Sequence, residues 1–205
     1  MASVRIRGKK TFAPSNYGRF MDDFDKSRFL DYFLLRNNLS PLDFKRWLFA
    51  PGMLFKDKES WWPGGRPRLH PHEGVDLRQF VDRHGQVHSL TAKTVIPAMY
   101  DGTVIDIFDD FLGKSILLAH GPLDQGLILH AIYGHIAPAA GLAINDTVRE
   151  GEPLATLAAT GKSDIPPHLH LSILLMARQA GPGEIRWESI NDFAPGGLVD
   201  PLAYV

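Results

Sequence analysis

The chain has 205 residues, 44% of them hydrophobic, enough to bury one main core with a small additional element. Lysine plus arginine number 22 against 23 aspartate plus glutamate, and this net charge of -1 gives no electrostatic case for binding nucleic acid or an anionic membrane surface. Cysteine is absent, which excludes disulfides and thiolate sites and leaves histidine and carboxylate as the groups able to hold a metal.

Residues 1–15 are basic, then proline-containing, and without periodicity, and they read as a poorly ordered arm. No signal peptide is visible, because the early arginines and lysines are not followed by a continuous apolar run and a small-residue cleavage site. The longest apolar runs, such as residues 173–177, are too short to span a bilayer, so no transmembrane segment is expected. Phe29, Leu30, Phe33 and Leu34 form one apolar stripe of a helix that Asn37-Asn38 would stop. A second helix is predicted from Ser40 to about Phe49, with Ser40 as its cap, Pro41 at its first position, Asp43 closing a capping box and Pro51-Gly52 ending it.

From Trp61 onward short β-rich runs alternate with glycine, proline and aspartate turns. Strands are predicted at 91–98, 102–108, 115–120, 127–135, 152–158 and 168–176, with Asp101-Gly102 as a turn between the first two. No helical pattern lies between them, which points to a mainly antiparallel sheet rather than βαβ units. The expected organisation is therefore an N-terminal arm with two helices over residues 1–60 and a β domain over residues 61–205.

Two histidine motifs stand almost a hundred residues apart. His168 and His170, at i and i+2 of a strand, project from one face, and Pro166-Pro167 before them places the pair near a sheet end where a cleft is accessible. On spacing alone either member could bind a metal. His72 and Asp76 would lie roughly 13 Å apart in an extended strand, too far to share one ion, so the chain must bend, and Gly74 midway tolerates the dihedrals of a bend or bulge. A helix would also bring i and i+4 together, but Pro63, Gly64, Gly65, Pro67 and Pro71 argue for a loop entering a strand. Tyr133 and His135 sit at alternate positions near the end of another predicted strand, which would point both toward the same site. His70 reads as a rim residue and Glu73 as a solvated turn carboxylate. His84, His88, His120 and His130 lack paired ligand spacing and read as structural or solvent-facing.

Several segments in order resemble the M23 family of zinc metallopeptidases, the LytM or lysostaphin type that cuts peptidoglycan. They are His72-Glu73-Gly74-Val75-Asp76, Ala98-Met99-Tyr100-Asp101-Gly102-Thr103-Val104, Leu118-Ala119-His120-Gly121, Ile132-Tyr133-Gly134-His135-Ile136, Val148-Arg149-Glu150-Gly151-Glu152, Pro167-His168-Leu169-His170 and Val199-Asp200-Pro201-Leu202. The resemblance, which runs from about Leu69 to Tyr204, implies an antiparallel β fold of the duplicated-hybrid-motif type. It implies one zinc ion per chain held by His72, Asp76 and His170, with His135 and His168 as the catalytic histidines. It also implies a peptidoglycan peptide as substrate and a location outside the cytoplasm. The stretch from Thr160 to Pro167 departs from the family's usual approach to the second motif, which bears on substrate preference more than on metal binding. A non-catalytic M23-like regulator or binder of cell-wall hydrolases is the alternative reading. A phosphocarrier-like module with two histidines is disfavoured by the His72, Asp76 and His170 set.

Overall fold

A computed structural model describes residues 26–122, 126–159, 164–193 and 197–205. The predicted arm at 1–15, and residues 160–163 of the altered approach to the second histidine motif, lie outside the described residues.

Alternation builds the central sheet. In β11 (Leu169–Met176), Leu169, Leu171, Ile173 and Leu175 enter one apolar cluster, whereas Leu174 enters a second on the opposite face and shares that face with His170 and Ser172. The same division runs through β8 (Ile128–Pro138) and β7 (Lys114–Pro122). Leu129, Ala131, Tyr133, Ile116 and Leu118 face the larger cluster, and Ile132, Leu117 and Ala119 the smaller. A sheet buried on both faces explains why these strands carry near-continuous apolar runs. β6 (Gly102–Asp109), β9 (Thr147–Val148) and β12 (Leu198–Val199) complete the row β12-β11-β8-β7-β6-β9. β2 (Val75–Leu77) adds to β11, and β10 (Pro153–Leu157) joins β8 to β5 (Val95–Pro97). A separate sheet holds β1 (Arg46–Leu48), β3 (Gln79–Val81) and β4 (Val87–Ser89). Every described pairing is antiparallel, as the sequence predicts.

The first predicted helix forms as α1 (Phe29–Arg36) and buries Phe29, Phe33 and Leu34 in the larger cluster. Its stop has a cause beyond local propensity. The Asn37 side-chain amide donates to the Phe33 and Val95 carbonyls, while Val95 N–H donates to its Oδ1, so Asn37 joins the helix end to β5. The second predicted helix does not exist. Asp43 does accept from Ser40 N–H at 3.0 Å, but this supports only a single 3-10 turn, Pro41–Asp43. β1 follows, because Trp47 pairs with Phe80 in register and its ring packs against Phe33, Phe44 and Phe80. Tertiary packing of aromatic side chains on a pleated surface overrides the capping signal here. The predicted strand at 91–98 shortens to β5, since Thr94 folds back on Thr91 in a turn. Among the described residues no helix is long and apolar enough to cross a membrane.

Candidate active site

His170 and Asp76 are brought together by register: they are cross-strand partners on β11 and β2. His170 Nδ1 lies 2.9 Å from Asp76 Oδ1. The bend needed to bring His72 to the same point occurs at Glu73-Gly74, just before β2. Gly74 is required there by close approach, since a Cβ at that position would stand 2.2 Å from the Leu171 carbonyl oxygen and 2.8 Å from His170 Nε2. A turn at residues 53–57 pins the segment from His72 to Asp76. Lys56 N–H donates to the His72 carbonyl, His72 N–H to the Asp57 carbonyl and Asp76 N–H to the Met53 carbonyl, at 2.8, 2.8 and 2.9 Å.

His72 Nε2, Asp76 Oδ1 and His170 Nδ1 thus converge, and one ligand atom from each of the three residues lies within 4.8 Å of the others. The donor chemistry fits a divalent cation such as zinc. His72 Nδ1 faces the Leu54 carbonyl at 3.0 Å, and a carbonyl only accepts, so a neutral His72 presents an Nε2 lone pair to the cluster. Ser172 Oγ, 2.9 Å from His170 Nε2, can accept a hydrogen bond from Nε2–H and leave Nδ1 free to ligate. Burial drives His170 toward the neutral imidazole that a metal needs, against the opposing pull of Asp76. Burial also acts to raise Asp76, but hydrogen bonds and charge from His170 and His72 hold it well below the usual carboxylate range. Trp61 Nε1–H donates to Asp76 Oδ2 at 2.6 Å and an Arg68 guanidinium nitrogen stands 3.6 Å away, so both partners occupy the oxygen turned from the histidines.

The two remaining histidines meet beside this cluster. His168 precedes β11, and its Nδ1 lies 2.9 Å from the Pro166 carbonyl, which fixes the proton there; its ring packs edge-on against Trp61. Burial pushes its pKa down to about 4. His135 reaches the site by a route that strand alternation does not predict. Lys114 pairs with Ile136 but Ile116 with Tyr133, so β8 carries one extra residue, and His135 adopts φ 63° in that bulge. The bulge separates the pair that parity would have kept together. Tyr133 is buried in the core, where its hydroxyl accepts from Met99 N–H, while His135 turns into the cleft, 4.7 Å ring to ring from His168. All five predicted site residues are brought together, and none is more than 6% exposed.

The cleft, about 100 Å³, is lined by Trp62, Phe111 and Trp187 as well as Arg68, Glu73, Asp76, His135, His168 and His170. A larger hollow of about 290 Å³ lies elsewhere, between α1 and β4, and contains none of the five residues. Glu73 is half-buried on the cleft wall rather than solvated. His70 and His84 are exposed, and His88 pairs with Asp82. His130 accepts from Ala180 N–H, and His120 sits against the Asp101 carbonyl, both as structural residues.

Sequence reasoning did not single out Trp61, Arg68, Asp110, Ser172 or Trp187. Ser172 had a signal, because it continues the His168, His170 parity on β11. Asp110 had a weaker one, as an aspartate three residues before Gly113 in the gap between the strands predicted at 102–108 and 115–120.

The sequence model of Peptidase family M23 matches residues 70–182, more than half of the chain. The fold is similar to that of the catalytic domain of the antimicrobial peptidase lysostaphin from Staphylococcus simulans; that domain is 18% identical, with 86% of this chain and 96% of that one covered, at a TM-score of 0.50. LytU is 23% identical, covering 66% of this chain and 81% of its own, at a TM-score of 0.43. A zinc-containing peptidase from Vibrio cholerae is 21% identical, covering 67% and 38%, at 0.42. No curated protein matches the sequence significantly.

Proposed function

The chain belongs to peptidase family M23, and from that premise we propose that it is a zinc-dependent endopeptidase hydrolysing peptide bonds in the stems or cross-bridges of bacterial peptidoglycan. The observation that carries the reading is the convergence of His72, Asp76 and His170 on one point beside two further buried histidines. Three ligands are the usual protein complement of a catalytic zinc. A zinc ion held there would polarise the scissile carbonyl and lower the pKa of a water toward ~7.

The chain's own groups supply the rest. His135 and His168 are the bases and acids of the reaction, each with one ring nitrogen committed behind it and the other available for proton transfer. His168 donates Nδ1–H to the Pro166 carbonyl, which leaves Nε2, 3.8 Å from Asp76 Oδ1, facing the ligand cluster. Trp62, Phe111 and Trp187 wall the cleft with apolar surface that binds the peptide chain and displaces water. Such a substrate places the enzyme outside the cytoplasm, in the periplasm or cell envelope.

The test is incubation of zinc-loaded protein with purified peptidoglycan, with released fragments identified by mass and His168→Ala as control. The expected result is about one zinc per chain and release of peptide fragments that the variant does not produce. Equal release by His168→Ala would remove that residue's catalytic role. A zinc-bearing protein that releases nothing but stimulates another wall hydrolase would instead establish the regulator reading.

A further inference from the structure

We propose that Asp110 is the positioning residue of His135, locking its ring tautomer and the bulged backbone that delivers it to the cleft. This deepens the reading above and rests on His135 being one of the two catalytic histidines. Asp110 opens the tight turn between β6 and β7, where its N–H donates to the Gly113 carbonyl at 3.0 Å. Its carboxylate is fully buried, and five donors converge on it. Oδ1 accepts from Leu112 N–H at 2.9 Å, Gly113 N–H at 2.8 Å and His135 Nδ1 at 3.2 Å. Oδ2 accepts from Ser115 Oγ at 2.7 Å and from His135 N–H at 2.9 Å. A carboxylate ion has only acceptors to offer, so the nitrogen of His135 that faces it carries the proton, and Nε2 remains for the cleft.

The same carboxylate accounts for the backbone. A non-glycine residue at positive φ costs on the order of 1–3 kcal/mol and persists where its surroundings over-determine it. At His135 they do: its N–H is held by Asp110 and its carbonyl by Ala158 N–H. The hold continues into the fold, because Ser115 Oγ also accepts from Trp187 Nε1, and the Trp187 ring packs on His170 at 4.7 Å. Trp187 packs closely on Gly134, where a Cβ would stand 3.0 Å from its ring and push it by a few tenths of an ångström. One hydrogen-bonded chain, Trp187 to Ser115 to Asp110 to His135, therefore runs from the wall beside the ligand cluster to the second catalytic histidine.

Asp110→Asn is nearly isosteric but can present an N–H to His135, which favours the wrong tautomer. Long-range ¹H–¹⁵N correlation of the imidazole rings reads this directly, with or without zinc and without substrate. The wild-type protein should show His135 protonated on Nδ1, and Asp110→Asn should lose that preference. Against peptidoglycan, kcat of the variant should fall by about 10²–10⁴-fold while KM and zinc content stay unchanged. Ser115→Ala, which removes one donor and keeps the carboxylate, covers the case in which Asp110→Asn does not fold; kcat should fall by roughly 3–10-fold with a partial tautomer shift. Wild-type His135 protonated on Nε2, or Asp110→Asn retaining kcat within threefold, would overturn the proposal. If the wild-type protein cleaves no wall but shows the Nδ1 tautomer and its loss in the variant, the peptidase reading falls and the positioning of His135 stands.

Discussion

The two sides of the cleft are assembled by opposite means. On the ligand side, Asp76 and His170 face each other because two strands are in register, and His72 joins them through one bend at a glycine with no space for a side chain. On the other side, His135 reaches the cleft only because register fails: β8 carries an extra residue, and a buried carboxylate from a neighbouring turn holds the resulting bulge. Regular strand geometry places side chains at fixed spacing, as the proposed zinc site requires. A bulge re-aims a single side chain, which suits the role proposed for His135, reaching across to substrate rather than sharing an ion.

Gly74→Ala should break the ligand side most severely. The new methyl would meet the Leu171 carbonyl, which is backbone and cannot turn aside, so the β2 to β11 contact must open. We expect a loss of about 3 kcal/mol, seen as a Tm drop of roughly 6–12 °C in the metal-free protein, together with loss of stoichiometric zinc. Asp110 and His135 lie outside this contact, so the His135 tautomer should survive. A Gly74→Ala protein that melts within 2 °C of wild type and holds zinc would show that the strand contact does not place the ligands.

Trp61→Phe probes the same side more gently. It keeps an aromatic ring against His168 but removes the N–H donated to Asp76 Oδ2 together with part of the indole that packs on Trp62 and Arg78, so Asp76 loses the partner that reserves Oδ1 for the proposed metal point. Zinc affinity, measured by competition with a chelator, should weaken by about 10–100-fold with little change in metal-free stability. An unchanged affinity would mean that Arg68, 3.6 Å from the same oxygen, suffices to orient the carboxylate.

The contrast also explains what was legible in the sequence. Alternation and turn residues marked the long strands, and the His168, His170 pair followed from strand parity alone. The bend at Gly74 was required by distance, although its cause was packing against Leu171 and not the dihedral freedom first invoked. What stayed hidden depends on tertiary contact. Parity put Tyr133 and His135 on one face because a bulge leaves no local mark, and the capping signal at Ser40 to Asp43 read as a helix because Phe80, the partner that draws Trp47 into β1, lies more than thirty residues away. Trp61 was invisible for the same reason, and the weak turn signal at Asp110 did not reveal its partner: each acts on a side chain that the fold, not the sequence neighbourhood, supplies.

Burial of histidine does not by itself distinguish either side of the cleft from the rest of the sheet. His130 is fully buried on the sheet face shared with His170, accepts from Ala180 N–H through Nε2, and faces the Ile128 carbonyl through Nδ1. Both bonds require the neutral ring, and burial pushes its pKa down to about 4 from 6.5. The sign follows from linkage: between these two values the unfolded chain binds a proton that the folded chain refuses, so stability is full above pH 6.5 and falls as the pH drops toward 4. Between pH 6.5 and 5.5 this residue alone should remove about 1 kcal/mol, or roughly 2–4 °C of Tm. His130→Gln keeps an acceptor for Ala180 without a titrating ring, so melts across that range should give the variant a shallower acid slope than wild type, with the same wall-lytic activity at neutral pH. Identical slopes would place the acid sensitivity in His120, His168 and His170, and would mean that the ring of His130 accepts its proton without leaving the sheet.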